Sequence, residues 1–357
     1  MLKRALLIFS IVFAVGAAAF FVFPDGMEGN GERASRFPGQ TDSGRTTIAL
    51  KQVGEIAAQC GPGPDDYFWD IFSLCFDSEG ALYVADRGWG KVFKLDAQGR
   101  FLKSFGKQGQ GPAEFLGDNE YIAVGNDGFL YVSSGFIGGR ISRFDREGKF
   151  LVSMPTDRSP GPPIVNSKGE IFIVSAGAEL ISVHRFGDAQ PRKIFFPEAF
   201  HFDDPFLKPS DGARRFADSH FLPLAIAKDD GLVVVSNVSL KAFVFGLDFR
   251  EIRRFDVGDE IYRAALRKRF EQTVKRNPRA GILPFTPFLA PDRKLYLFTY
   301  NTERKAFDAL VYSLDGRLKA VLQIPAEISS PFAVNARGEI YGVKDQTVLV
   351  RFAPPFS

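Results

Sequence analysis

Short apolar stretches recur along the chain in pairs, and a polar turn that usually ends in glycine separates the two members of each pair. In the first pair, residues 72–76 and 81–84 are joined by Asp77-Ser78-Glu79-Gly80. Short apolar runs bounded by turn residues predict strands, and glycine supplies the positive φ that a tight hairpin turn needs. The pattern occurs six times, with the second strands centred on Tyr83, Tyr131, Phe172, Val233, Tyr296 and Tyr341.

The spacing of these copies predicts a propeller. Successive central residues are 48, 41, 61, 63 and 45 positions apart, and a four-stranded propeller blade takes roughly 40 to 50 residues. The two longer gaps require insertions, which fall at residues 197–221 and 257–286. Several copies are followed by a second hairpin with alternating polar and apolar positions, as half-solvated outer strands require. We therefore predict an all-β fold, a six-bladed β-propeller.

The sixth copy lacks a fourth strand after residues 348–352, while residues 46–53 form a spare strand near the other end. Closing the ring with strands from both ends would leave no long open sheet edge. Residues 46–357 are therefore predicted to form one propeller, whose last blade is closed by an N-terminal strand.

The N-terminus reads as a hydrophobic helix. Two basic residues precede an apolar run over residues 5–23, which as a helix would span roughly 28 Å, close to the thickness of a bilayer core. Two interpretations stay open for residues 1–24: a signal peptide cut near the small residues 16–19, or an uncut transmembrane anchor with its basic end in the cytoplasm. Both predict export to the periplasmic or extracellular side. Residues 25–45 are polar and glycine-rich, and we expect a flexible linker.

Composition narrows the function classes. The chain contains 38 Phe but only 3 His, and its net charge of +3 is too small to predict nucleic-acid binding. The common motifs for a zinc protease, a serine hydrolase, a phosphate-binding loop and a redox cysteine pair are absent. We therefore assign no catalytic residue, no metal ligand and no cofactor. Export would permit a disulfide between Cys60 and Cys75, and a bridge and two free thiols both stay open.

Two segments near the start of the propeller point to a family. The run Tyr83-Val84-Ala85-Asp86-Arg87, with the hairpin that follows it, resembles an NHL repeat. The loop Gly106-Lys107-Gln108-Gly109-Gln110-Gly111-Pro112-Ala113-Glu114-Phe115 is similar to loops of bacterial exported six-bladed propellers. The resemblance is strong in blades one and two and weaker in blades three and four. It implies the fold and little about activity, because most such propellers are binding platforms while some relatives are enzymes.

Function is expected on one face of the disc. The turns inside the hairpins lie on one face, here called the tight-turn face, and the loops that join hairpins and blades lie on the other, the long-loop face. Long loops on a rigid scaffold commonly carry function. The loops between hairpins supply the candidate ligand-binding residues Asp86, Arg87, Trp89, Phe136, Glu179, Tyr300, Asn301, Glu303, Arg304, Lys344 and Asp345.

Trp89 is the predicted recognition anchor, because it lies between two glycines and beside charged residues. For Asp86 and Arg87 an alternative stays open, in which they only tie neighbouring strands together.

The two insertions carry hypotheses of their own. Residues 257–286 show apolar positions at helical spacing and a basic face, which predicts a helix that packs on the disc or docks an acidic partner or anionic lipid. The other insertion contains His201 and His220 near aspartates, which read as surface residues or as a metal site. His184 lies in a predicted strand and is assigned a structural role.

Two functions from different classes follow. The favoured one is an exported or membrane-anchored binding module that recognises a protein, peptide or glycan at the cell envelope through its long-loop face. The alternative is a metal-dependent propeller hydrolase or lyase. The sequence disfavours this alternative, because few histidines and paired carboxylates fall at positions that would line the channel. We expect a monomer that binds no nucleic acid and that contacts the membrane through residues 5–23 if these are not cleaved.

Overall fold

Six sheets form the blades of a propeller in the computed structural model, and their strands pair antiparallel except for one parallel strand at the edge of blade five. The residues that the structure describes are 46–117, 120–135, 139–156, 161–174, 181–188, 193–195, 224–226, 229–236, 240–258, 263, 286–290, 292–301 and 304–356. The strands of the first three blades are β3 (Ile71–Phe76), β4 (Leu82–Asp86), β5 (Lys91–Leu95), β6 (Phe101–Phe105), β7 (Tyr121–Val124), β8 (Leu130–Ser134), β9 (Arg140–Phe144), β10 (Phe150–Pro155), β11 (Ile164–Val165), β12 (Ile171–Val174), β13 (Ile181–His184) and β14 (Lys193–Phe195).

In the last three blades, as in the first three, the chain runs from the innermost strand outwards. Their strands are β15 (Leu224–Ile226), β16 (Leu232–Ser236), β17 (Lys241–Phe245), β18 (Glu251–Asp256), β19 (Thr286–Leu289), β20 (Lys294–Asn301), β21 (Ala306–Ser313), β22 (Leu318–Gln323), β23 (Ile328–Val334), β24 (Ile340–Lys344) and β25 (Val348–Phe352). The first strands of neighbouring blades contact each other, as β23 and β3 do and as β3 and β7 do. These first strands therefore surround the central channel.

The N-terminal segment closes the ring with two short strands, where the sequence predicts one. The single strand expected over residues 46–53 is two strands, β1 (Thr47–Ala49) and β2 (Gln52–Ile56). β2 pairs antiparallel with β25 and completes the sixth blade, which confirms closure by an N-terminal strand. β1 instead pairs in parallel with β22 and adds a fifth strand to blade five. Leu50, between the two strands, is buried in the core cluster that blades five and six share.

The tight turns explain why the repeat is legible in the sequence. In the first, Asp77 Oδ1 accepts hydrogen bonds from the backbone N–H groups of Glu79 (3.0 Å) and Ala81 (2.9 Å), and Gly80 has φ 88°. An Asx side chain that binds the backbone two residues ahead stabilises such a turn, and glycine allows the positive φ. The same bonding recurs at Asp96, Asp145, Asn166 and Asn335.

The core lies between neighbouring blades, around the central residue of each second strand, which is aromatic in every blade except the fourth. Tyr83 and Tyr131 are completely buried. The Tyr83 hydroxyl donates to Arg146 O of the next blade (3.1 Å), and the Tyr131 hydroxyl donates to Asp127 Oδ2 (2.5 Å). Burial raises the pKa of both hydroxyls, so they remain neutral donors. The Tyr83 hydroxyl therefore ties blade one to blade two, whereas Tyr131 bonds within its own blade and stacks its ring on Phe186 of blade three at 6.2 Å.

Several predicted segments fall outside the described residues, namely 1–24, 25–45 and the loop with His201 and His220. The helix predicted over residues 257–286 is described only at Arg263, which is helical. No helix in the described part of the chain is long and apolar enough to cross a membrane.

Both cysteines and His184 lie in or beside the blades. Cys60 lies in the loop before β3 and Cys75 lies within β3, and both are free thiols, so the disulfide alternative is not formed. His184 ends β13, as predicted, with its Nε2 2.6 Å from Ser182 Oγ.

Candidate functional site

Asp86 lies at the centre of the long-loop face of blade one, where β4 ends. Its side chain is completely buried. Oδ2 accepts hydrogen bonds from the backbone N–H groups of Trp69 (2.7 Å) and Asp70 (3.0 Å), and Oδ1 accepts one from Trp89 N–H (3.1 Å). Burial raises the pKa of Asp86, against the opposing effect of these three bonds. Asp86 thus ties the loop of residues 57–70 to the loop of residues 87–90.

Arg87 forms an ion pair with Asp70 and lies against the innermost strands of blades one and two. Its Nε and Nη2 lie 2.7 Å and 2.6 Å from Asp70 Oδ2. The guanidinium lies 5.0 Å from the centre of the Phe72 ring, and that ring is 4.9 Å from the ring of Tyr121. Phe72 and Tyr121 belong to β3 and β7, two of the innermost strands. The Arg87 and Asp70 side chains remain 27% and 23% exposed, so the pair is open to solvent on one side.

Both tryptophans of the chain lie beside this ion pair and contact each other. The Trp69 and Trp89 rings meet edge to face at 5.5 Å, and Tyr67 meets Trp89 in the same way at 5.0 Å. Trp89 Nε1 donates to Tyr67 O (2.9 Å), and Lys91 Nζ lies 4.9 Å from the Trp89 ring. We call Tyr67, Trp69, Trp89 and Lys91 the tryptophan patch.

The exposed indole of the patch is that of Trp69, not that of the predicted anchor Trp89. Trp69 is 55% exposed, whereas Trp89 is only partly exposed and packs against the core of blade one. The indole N–H of Trp89 is bonded, while that of Trp69 has no hydrogen-bond partner among the described residues. Trp89 therefore supports the tryptophan patch from the core side, and Trp69 is the tryptophan whose ring is exposed to solvent.

The two glycines around Trp89 have separate structural reasons. A Cβ at Gly88 would lie 2.7 Å from Trp69 Cγ, so the indole rests directly on the Gly88 backbone. Gly90 has φ 60°, and a Cβ there would lie 3.0 Å from the backbone nitrogen of Gln108. Close approach of this kind is possible only without a side chain. The sequence Gly-Trp-Gly thus reflects the packing of two loops against the patch.

The candidate residues of blade five form a different cluster. Asn301 Nδ2 donates to Asp308 Oδ2 (2.7 Å), and the Arg304 guanidinium pairs with the same carboxylate and donates to Ile324 O (2.8 Å). Asp308 is buried, and burial raises its pKa. The Tyr300 ring packs edge to face on Phe307 at 5.3 Å. Asn301 and Arg304 therefore both bind the buried carboxylate of Asp308.

The loop of blade six meets the edge of the tryptophan patch. Asp345 is exposed with φ 51°, and the carbonyl of the next residue, Gln346, accepts a hydrogen bond from Ile71 N–H (2.9 Å). Lys344 Nζ lies 3.9 Å from Glu55 Oε1. The structure thus places this loop directly beside Asp70. The candidates Phe136, Glu179 and Glu303 lie outside the described residues.

Tyr67 and Trp69 are the residues that the sequence prediction missed. They belong to the blade-to-blade loop rather than to the loop between hairpins, where the candidates were sought. Two signals could have found them: Trp69 is the only other tryptophan of the chain, and its loop contains Gly61-Pro62-Gly63-Pro64, which matches Gly109-Gln110-Gly111-Pro112 one blade later.

Comparison with known proteins supports the fold. No family model matches the chain. A stretch of 114 residues is 25% identical to the probable peptidyl-alpha-hydroxyglycine alpha-amidating lyase pgal-1 of Caenorhabditis elegans, and it covers 31% of this chain and 31% of that protein. The chain therefore matches less than a third of the length of that relative.

Two solved structures resemble most of the chain. A member of the DUF4221 family from Bacteroides vulgatus is 12% identical, with a TM-score of 0.56 over 87% of this chain and 98% of that one. A protein named "Putative exported protein" from Bacteroides fragilis is 9% identical, with a TM-score of 0.55 over 87% of this chain and 99% of that one. At these identities the likeness shows the fold alone. The chain is a six-bladed β-propeller.

Proposed function

We propose that this chain is an exported binding module that holds its ligand on the long-loop face of blade one. The observation that carries the proposal is the exposure of Trp69, 55%, next to an Arg87–Asp70 ion pair that is about one quarter exposed. A large exposed aromatic side chain beside charged groups is typical of recognition sites. The ligand classes that fit such a surface are a protein, a peptide or a glycan.

The rigidity of the platform favours binding. Trp69 rests on Gly88 and meets Trp89 edge to face, so its side chain loses little conformational freedom when a ligand covers it. Covering the exposed half of an indole contributes on the order of 2–3 kcal/mol from apolar area alone. A single anchor of this size can dominate a binding interface.

The proposed cellular location rests on the N-terminal sequence. Residues 5–23 fit either a signal peptide or a membrane anchor, and a protein of the same fold carries the name of an exported protein. These features support the proposal that the propeller lies on the periplasmic or extracellular side, as an NHL-like module that acts as a monomer on envelope ligands.

The test is capture by the full-length chain in mild detergent. Labelled envelope proteins and labelled envelope saccharides are applied separately to the wild type, Trp69→Ala and the matched control Leu116→Ala. We expect one fraction to be retained by the wild type and the control, with at least about tenfold weaker retention by Trp69→Ala, which is the loss of about 1.4 kcal/mol. Equal retention by Trp69→Ala, or none by the wild type, would contradict the proposal.

A lyase or hydrolase is the second candidate, favoured by the local similarity to pgal-1. In the part of the chain that the structure describes, no three His, Cys, Asp or Glu side chains are grouped as metal ligands would be. The loop with His201 and His220 lies outside that part. Elemental analysis of the dialysed full-length chain tests this candidate, because stoichiometric zinc or calcium would favour the enzyme.

A further inference from the structure

We propose that the ligand of the tryptophan patch is a neutral saccharide, with one sugar ring on Trp69 and its hydroxyl groups on Asp70 and Arg87. This inference rests on the proposed function and names the ligand class of the same site. The three side chains are brought together by adjacency in the chain and by the Arg87–Asp70 contact. Each offers a different part of the chemistry that a sugar requires.

Trp69 supplies the apolar surface. A pyranose ring has a face of C–H groups, and such groups pack favourably on the electron-rich face of an indole. Because Trp89 meets Trp69 edge to face and not in a parallel stack, it supports the ring without forming a sandwich over it. The indole N–H of Trp69, which has no partner among the described residues, adds a donor for a hydroxyl oxygen.

Asp70 and Arg87 supply a matched acceptor and donor. Both contacts between them use Asp70 Oδ2, from Arg87 Nε and Nη2. Within the described residues, neither Asp70 Oδ1 nor Arg87 Nη1 has a hydrogen-bond partner. A sugar hydroxyl both donates and accepts, so neighbouring hydroxyls can bond to Oδ1 and Nη1 at once. Such charge-assisted bonds are stronger than neutral ones.

The local charge favours a neutral sugar over an acidic one. Arg87 and Lys91 are balanced by Asp70 and the exposed Asp65, which both belong to the loop of residues 57–70. A polyanion would therefore meet no net positive surface. An apolar protein segment would fit less well, because covering the ion pair without replacing its water would cost desolvation free energy.

The site is built before any ligand binds. Asp86 holds the backbone N–H groups of Trp69 and Asp70 through one oxygen, at 2.7 Å and 3.0 Å. The platform and the carboxylate are therefore fixed relative to each other. Preorganisation of this kind reduces the ordering cost of binding.

The test is titration of the full-length chain in detergent with a defined panel, read by intrinsic tryptophan fluorescence and by calorimetry. The panel contains the neutral oligosaccharides maltohexaose, cellohexaose and chitohexaose and the acidic oligosaccharides of alginate. We expect a saturable signal with at least one neutral member. Trp69→Ala and Asp70→Asn should each weaken that binding at least about tenfold, while Leu116→Ala should leave it within about twofold. Unfolding midpoints confirm that each variant is folded.

Other results separate this inference from the function on which it rests. If no neutral oligosaccharide binds but an envelope protein is captured in a Trp69-dependent way, the saccharide inference is wrong and the binding module stands. Preference for the alginate oligosaccharides, or neutral-sugar binding that Trp69→Ala leaves unchanged, would also overturn it. If neither saccharide nor protein binds, both proposals are wrong.

Discussion

The loops that enter blades one and two share a framework and differ in what they present. In the first, Gly63 N–H donates to Asp66 Oδ2 (2.8 Å), and in the second, Gly111 N–H donates to Glu114 Oε2 (2.7 Å). Each loop is anchored by a buried phenylalanine, Phe68 or Phe115. Each ends against a glycine of the neighbouring loop. The framework is therefore part of the repeat.

The difference lies in the residue that rests on that glycine. In blade one Trp69 lies on Gly88, and in blade two Leu116 lies on Gly135. The charged groups differ as well, because Arg140 of blade two donates to carbonyls of its own loop, including Gln110 O (2.9 Å). Blade one keeps an aromatic platform and an ion pair partly exposed, whereas the described residues of blade two use the Arg140 guanidinium internally. The repeat builds the scaffold, and of these two loops the proposed binding site uses the one in blade one.

The largest expected effect tests the shared framework. Phe68→Ala and Phe115→Ala each remove a buried aromatic ring, so each should lower the free energy of unfolding by about 3–5 kcal/mol. Urea unfolding of both variants measures this. A near-neutral effect at one site only would show that the two loops are not equivalent.

A smaller effect concerns the carboxylate that ties the loops of blade one. Asp86→Asn replaces one acceptor oxygen by a donor that faces N–H groups, so we expect a loss of about 1–3 kcal/mol. Burial raises the pKa of Asp86 above its ordinary value of 3.8, so the folded state binds this proton more tightly than the unfolded state. The contribution of Asp86 to stability is therefore largest below that value and falls as pH rises through the raised pKa.

Urea unfolding across this acidic range checks the sign of the effect. The stability advantage of the wild type over Asp86→Asn should shrink as pH rises. An advantage that grows with pH would mean that the Asp86 pKa is lowered in the folded state, contrary to the structure.

The two glycines should respond differently to alanine. Gly135 has φ 90°, and its Cβ would meet both Leu116 and the backbone of Gly139, so Gly135→Ala should cost about 1–3 kcal/mol. At Gly88 only the partly exposed Trp69 obstructs the Cβ. Gly88→Ala must displace Trp69 at its Cγ and Cβ but needs no positive φ, so it should cost about 1 kcal/mol, less than Gly135→Ala, and it should shift the tryptophan emission. Equal losses at the two sites would contradict the comparison.

The smallest effect on stability separates the two tryptophans. Trp69→Phe changes a residue that is 55% exposed and should alter stability by less than about 0.5 kcal/mol. Trp89→Phe removes the bond to Tyr67 O and should cost about 1 kcal/mol. Each of these variants keeps a single tryptophan. Acrylamide should quench the Trp89→Phe variant, which reports Trp69, more strongly than the Trp69→Phe variant, which reports Trp89. The reverse order would place the exposed indole at Trp89.

The periodic features were readable from the sequence, and the features that depend on contacts between loops were not. The turn at Asp77 and Gly80 can be predicted from the sequence, because its hydrogen bonds join residues at most four positions apart. The split of residues 46–53 into β1 and β2 arises because β1 pairs with the outer strand of blade five and β2 pairs with β25 of blade six. These two pairings depend on how the closed ring brings the two blades together. The exposure of Trp69 depends in the same way on distant neighbours.

The binding role of Asp86, Arg87 and Trp89 stays a prediction from the sequence. The structure shows that these residues lie together in blade one, and it adds Trp69 as the exposed member of the patch. Asn301 and Arg304 looked like contact residues because the burial of their partner, Asp308, is a tertiary property. No sequence pattern distinguishes a polar loop residue that faces solvent from one that faces a buried carboxylate.

The most direct measurement is acrylamide quenching of Trp69 in the full-length Trp89→Phe variant, with and without saturating oligosaccharide or captured envelope ligand. If the ligand lies on the tryptophan patch, it should shield the indole and lower the quenching constant to well below that of the free protein. Binding that leaves the quenching constant unchanged would place the ligand elsewhere and contradict the assignment of the site to blade one.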